Sequence, residues 1–149
     1  MKKIFYFIFC ILTINSYSVD AYKLESGLTD IGFSKKVDEY DGFKDIHLEN
    51  KYNNSKVKVS IFYNKNKLDS IDFISTNYGP KTGKAERLNS LGLLLYDFYI
   101  NESDVNLNKD VEKIFNSIKN KKTDLIETKK YIIKGFDLGT ASNIEIKFK

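Results

Sequence analysis

Cysteine is almost absent from this chain. The 149 residues contain one, Cys10, alongside one histidine, His47, and one proline, Pro80. A single thiol excludes an internal disulfide, so the fold is expected to rely on packing. One histidine excludes the usual histidine-rich zinc sites and leaves any serine nucleophile with His47 as its sole imidazole partner. Long apolar runs are also missing: the longest uncharged, mostly apolar stretch, Ile4 to Ile14, is far shorter than the ~20 residues needed to cross a bilayer as a helix. No block of five or six like charges occurs, and no repeat of 20 to 50 residues shows itself.

The N-terminus has the order of a secretory leader. Lys2 and Lys3 open the chain, the apolar run follows, and Val19-Asp20-Ala21 places modest side chains before a cut. Residues 1–21 are therefore expected to be a signal peptide and residues 22–149 one exported domain, periplasmic or secreted, with no stable membrane insertion once the leader is gone. Phe9 stands before Cys10 where lipoprotein processing requires a small residue, so lipidation is not expected. Without Lys2, Lys3 and Asp20, the 24 basic and 20 acidic residues become 22 and 19, a net charge of +3. That mild excess tolerates anionic partners without demanding them. The sequons at Asn53 and Asn101 carry weight only in a host that glycosylates exported proteins.

Periodicity predicts an α+β domain: an antiparallel sheet, built from an N-terminal meander and a C-terminal hairpin, with two amphipathic helices on one face. Tyr22 to Tyr40 is ambiguous, with Leu28, Ile31 and Phe33 able to supply a short first strand, and Asp41-Gly42 marks a turn. Three runs then alternate with period two: Ile46 and Leu48; Val57, Val59, Ile61 and Tyr63; Ile71 and Phe73. From about Lys84 the period becomes helical, with Leu88, Leu91, Leu95 and Phe98 on one stripe and Gly92 marking a close contact. A second helix carries Val111, Ile114, Phe115 and Ile118, with Asn108 as its expected N-cap. Tyr131, Ile133, Ile144, Ile146 and Phe148 return the pattern to strands around Gly139 to Asn143.

No cofactor or catalytic motif is complete. Gly79-Pro80-Lys81-Thr82-Gly83-Lys84-Ala85 resembles a phosphate loop, but three residues rather than four separate the glycines and Ala85 has no hydroxyl for magnesium. What survives is a basic helix start, with Lys81, Lys84 and Arg87, able to hold an anion. Asp104-x-Asn106-x-Asn108 resembles a calcium loop, yet Lys109 replaces the turn glycine and Phe115 the bidentate glutamate. Asp45, His47 and Glu49 fall on one strand face at ~6.8 Å spacing, too far apart to grip one ion together. Lys56, Lys58 and Phe62 share a wet strand face; one ring is no stacking platform for nucleic acid, but an aromatic anchor ringed by polar groups suits a protein partner.

These observations lead to the expectation of a small exported binding module without cofactor or metal. It would inhibit, neutralise or chaperone another protein of the cell envelope, as periplasmic inhibitors and immunity proteins do, and would not be an enzyme. Its contact residues are expected among Lys56, Lys58 and Phe62, or in the loop carrying Tyr78, Lys81, Lys84 and Arg87. The alternatives are a carboxylate-dependent glycan hydrolase, which requires two converging acids, and a structural envelope component.

Overall fold

The computed structural model describes residues 21–52, 54–79 and 82–149. The expected leader, up to residue 20, lies outside them, as does Lys81. Seven antiparallel strands form one sheet: β1 (Ser34–Tyr40), β2 (Phe43–Tyr52), β3 (Ser55–Asn64), β4 (Lys67–Asn77), β5 (Thr123–Glu127), β6 (Tyr131–Asp137) and β7 (Ala141–Phe148), in the spatial order β1-β2-β3-β4-β7-β6-β5. It is thus two meanders, β1 to β4 and β5 to β7, joined edge to edge along β4 and β7. Three helices accompany it: α1 (Ala21–Asp30), α2 (Lys84–Asn101) and α3 (Val105–Asn120).

The helices share one face of the sheet because only that face is apolar. Inward positions carry Ile46, Leu48, Val57, Val59, Ile61, Ile71, Phe73, Ile133, Ile144 and Ile146, all essentially sealed from solvent. Against them α2 lays Leu88, Leu91, Leu94, Leu95 and Phe98, and α3 lays Leu107, Val111, Ile114 and Ile118. Phe73 and Phe98 meet edge to face with centroids 5.4 Å apart, a favoured aromatic geometry. α2 touches β4, β3 and β7, and α3 touches β6, β5 and β7, so each helix reaches the joining strand β7.

Three elements depart from the sequence expectation. Leu28 and Ile31 do not begin a strand. Ala21, Leu24 and Leu28 form the buried stripe of α1, which stops at Gly32, in the left-handed region with φ 94°. There the Gly32 amide donates to the Thr29 carbonyl at 3.0 Å and the Phe33 amide to Leu28 at 3.0 Å, the paired bonds of a glycine-terminated helix. β1 follows instead, an outer strand with charged residues at four of seven positions, which guard an unpaired edge. Its link to β2 is the two-residue turn Asp41-Gly42, both with positive φ (43° and 81°), as a tight hairpin requires. The short strand β5 makes the C-terminal hairpin a three-stranded meander. Finally, Asp104 rather than Asn108 caps α3, its carboxylate accepting from the Asn106 and Leu107 amides at 2.9 and 3.2 Å. The Asn108 side chain instead donates to the Tyr99 and Glu102 carbonyls at 3.2 and 3.0 Å, tying the end of α2 to α3. These bonds occupy the residues that resembled a calcium loop.

Two glycines set how closely α3 approaches its neighbours. A Cβ on Gly135, which faces inward on β6, would stand 2.4 Å from Ile114 Cγ2 and 2.9 Å from Ile118 Cγ2. On Gly92 it would meet the tip of the Phe115 ring at 3.2 Å, the close contact expected of that position. Gly135→Ala is expected to destabilise the protein by about 1–3 kcal/mol, because two branched side chains fixed in the core must move. Gly92→Ala meets one half-buried ring that can shift, and it removes a helix glycine, so stability should hold or rise by up to about 1 kcal/mol. Urea unfolding midpoints of the two variants check the contrast.

Candidate functional site

The face opposite the helices is where side chains meet solvent over a broad area. Alternation along β3 places Lys56, Lys58, Ser60 and Phe62 there, the arrangement expected from the sequence. Register adds what the sequence reading did not contain. Asp45 stands opposite Phe62, so Phe43, two residues away on the same strand, shares that face, and Tyr40 lies opposite Phe43 across the Asp41-Gly42 hairpin. The three rings form a row. Tyr40 and Phe43 have centroids 5.7 Å apart, tilted by 33°, and Phe43 and Phe62 lie 5.7 Å apart, nearly stacked at 19°. Phe62 is therefore one end of a three-ring row, not a solitary ring.

Beside the row lies a charged cluster. His47 Nε2 is 3.3 Å from Asp45 and 3.6 Å from Asp38, and His47 Nδ1 is 3.1 Å from the Ser60 hydroxyl. Lys36 reaches Asp38 at 2.9 Å and Lys56 reaches Glu49 at 2.7 Å. Glu49 thus pairs with a lysine and not with His47, and among the described residues no group of three or more potential ligands is placed to hold a metal ion. Continuing across the sheet, Ser60 faces Asp72 and Asp72 faces Glu145. Burial first, then the charges of Glu145 and Asp45, push the Asp72 carboxyl up to about 6 against the pull of Lys58.

Tyr78 belongs to this face as well. Its hydroxyl accepts from Lys51, whose ammonium also sits 4.4 Å from the Tyr78 ring centre, and Lys51 is the register partner of Lys56. The two contact regions expected separately, the β3 face and the Tyr78 loop, are therefore joined through Lys51. Tyr78 and Thr82 are both tied to Asn54, whose carbonyl accepts from the Tyr78 amide and the Thr82 hydroxyl.

Arg87 is not part of any surface. It is 2 % exposed, the largest fully buried side chain among the described residues, and each of its three guanidinium nitrogens donates a hydrogen bond. It donates to Asp137 at 2.9 Å, to Asn77 at 2.8 Å and to Ser142 at 3.3 Å. Lys84 leans the same way, 3.8 Å from the other Asp137 oxygen. Burial pushes the Asp137 carboxyl up, but the Gly139 amide, the Arg87 guanidinium and Lys84 outweigh it and hold the group below the usual carboxylate range. The basic helix start read as an anion site is thereby taken apart: Arg87 faces inward and Lys84 is directed at a buried acid. No family model, curated protein or solved structure matches the chain.

Two predictions follow from these charges. Arg87→Met should cost about 3–5 kcal/mol, because Asp137 is left buried without its partner, and Arg87→Met/Asp137→Leu should recover most of that loss in urea unfolding. Asp72 has the opposite sign. Its folded pKa lies above its unfolded value near 3.8, so the native state holds the proton more tightly and stability falls as pH rises from about 4 to about 6. Asp72→Asn is expected to remove that slope and to raise stability at pH 8 by on the order of 1 kcal/mol, the half-open face screening part of the effect. Chemical denaturation between pH 3.5 and 8 measures both.

Proposed function

We propose that this chain is a binding module that acts by surface complementarity on another exported protein, inhibiting, neutralising or chaperoning it, and that the open sheet face is its contact surface. The observation that carries the reading is the Tyr40–Phe43–Phe62 row set beside the Lys36–Asp38 pair and the His47 cluster. Rings of this kind supply large contact area at small entropic cost, and surrounding charges of both signs select a partner of complementary pattern. Lys36 and Lys56 are paired with acids, so the face presents a mixed field rather than a basic one. Lys56, Lys58 and Tyr78 extend the same surface toward its other end, while Arg87 belongs to the interior.

One observation favours a second reading. A carboxylate hydrolase needs two neighbouring acids with at least one pKa raised, and Asp72 beside Glu145 meets that condition. The two stand as direct cross-strand neighbours on an open sheet face, where a substrate would be held from one side only.

Affinity capture from the native envelope fraction tests both. The tagged wild-type protein is expected to retain one stoichiometric partner, and Phe62→Ala with Tyr40→Ala, which leaves the core untouched, to weaken that association at least tenfold. Asp72→Asn should leave it within about twofold. A wild-type protein that retains no partner and cleaves a glycan, with activity lost in Asp72→Asn, would replace the binding reading by the hydrolase.

A further inference from the structure

A cavity on the helix side of the fold, away from the sheet face, has the features of a small-molecule site. It measures about 260 Å³ and lies between α1, α2 and the strands beneath them. Leu28, Phe33, Val57 and Leu94 form its buried floor. Its rim is apolar yet open: Ile31 and Tyr96 are each 64 % exposed, although both sit beside that floor. Contiguous exposed apolar surface around a cavity marks a place where something binds.

Two polar groups break the apolar lining, both on the inward side of α2. Ser90 is 2 % exposed, and its hydroxyl has no hydrogen-bond partner among the described residues. A buried hydroxyl left unmatched costs free energy, so one lining an open cavity is best explained by a ligand group that completes it. Asp97 lies seven residues, or two helical turns, further along, a separation of ~10 Å. Its carboxylate receives the Asn101 side-chain amide at 3.5 Å and has no cation within ion-pair distance among the described residues. Burial holds its carboxyl above the usual range, with Asn101 pulling it back. The chain leaves room for this carboxylate, since a Cβ on Gly27 of α1 would stand 3.2 Å from Asp97 Oδ2.

We propose that this cavity binds a linear amphiphilic amine, with its ammonium on Asp97, its hydrocarbon body over Leu28 and Leu94, and a hydroxyl or carbonyl at its far end on Ser90. The cavity suits an ammonium in particular: a carboxylate without a counter-ion attracts a cation and repels a carboxylate ligand, and both effects strengthen as water is excluded. Tyr52 and Tyr96 on the rim add aromatic faces to which a cation is also drawn. An extended chain of six carbons between the two polar groups spans the distance from Asp97 to Ser90.

The probes are 6-amino-1-hexanol and its neutral counterpart 1,6-hexanediol, titrated into the isotopically labelled protein and followed by amide chemical shifts. The amine is expected to saturate below about 10 mM, to bind about tenfold tighter than the diol, and to perturb Leu28, Ser90 and Asp97. In Asp97→Asn, which is isosteric and removes a carboxylate that burial already disfavours, the advantage of the amine should disappear while the diol binds as before. Equal affinity for the two probes in the wild-type protein, saturation by neither, shifts centred elsewhere, or a preference that survives Asp97→Asn would each overturn the proposal. The comparison of two probes on the unaltered chain does not depend on any variant folding.

Discussion

The architecture depends on one buried ion pair, Arg87 with Asp137. The two meanders meet along β4 and β7, and the seam between them must be held in register. Arg87, in the first turn of α2, reaches the end of β4 through Asn77, the start of β7 through Ser142 and the end of β6 through Asp137. Three strand termini from both halves of the sheet thus converge on one planar group with five donors. A leucine in the same place would fill the volume and bury more apolar area, but it could not distinguish this seam from one shifted by two residues, which also preserves the inward face. A buried ion pair contributes little net stability once desolvation is counted, and its value here is that the wrong alignment strands a charge.

With the seam fixed, the asymmetry of the sheet follows. Every helix is drawn to the single apolar face, and the chain has no further element among the described residues to lay on the other. Side chains on that open face shield one another, so rings stack in a row and carboxylates crowd. Asp72 holds its proton to about pH 6 because burial disfavours its charged form and the nearby Glu145 and Asp45 add charge of its own sign. A face selected only to be wet would disperse such charges. Aromatic rings and acids gathered on the same few strands are what the proposed contact surface rests on.

How much of this was legible depended on whether an element has an inside. β2, β3, β4 and the stripes of α2 and α3 each bury one face, so their periods stand out in the sequence. β1 and β5 lie at the sheet edges, where burial enforces little alternation, and α1 has three inward residues across ten. Even so, signals were present. The Asp41-Gly42 dipeptide demands a strand on its N-terminal side as well as the one recognised after it, and pairing across it places Tyr40 beside Phe43. Gly32 after the spacing of Ala21, Leu24 and Leu28 marks a helix end. Arg87 falls four residues before Leu91, on the inward stripe of α2, and Asp137 continues the inward positions Tyr131, Ile133 and Gly135 of β6. Opposite charges at two core positions of separate elements announce a buried pair, but a basic residue beside Gly83 and Lys84 reads more readily as a surface cation.

The row of rings bears on which class of partner the open face suits. Read along β3 alone, Lys56, Lys58 and Phe62 look like the beginnings of a basic surface with a stacking base platform. Register supplies the additional rings such a platform needs, yet it also supplies acids: Glu49 on Lys56 and Asp38 on Lys36. A lysine already neutralised by a carboxylate releases little when it meets a phosphate, and the acids repel the rest of a polyanion, so stacking would have to carry the binding against the local field. A folded protein imposes no such condition. It can present acids to Lys36 and Lys56 and lysines to Asp38 and Glu49 while covering Phe43 and Phe62, exchanging weak solvent-exposed pairs for desolvated ones across an interface. On the proposed reading, the ring row with its charged neighbours therefore suits a protein better than a nucleic acid, as the single ring legible in the sequence already did.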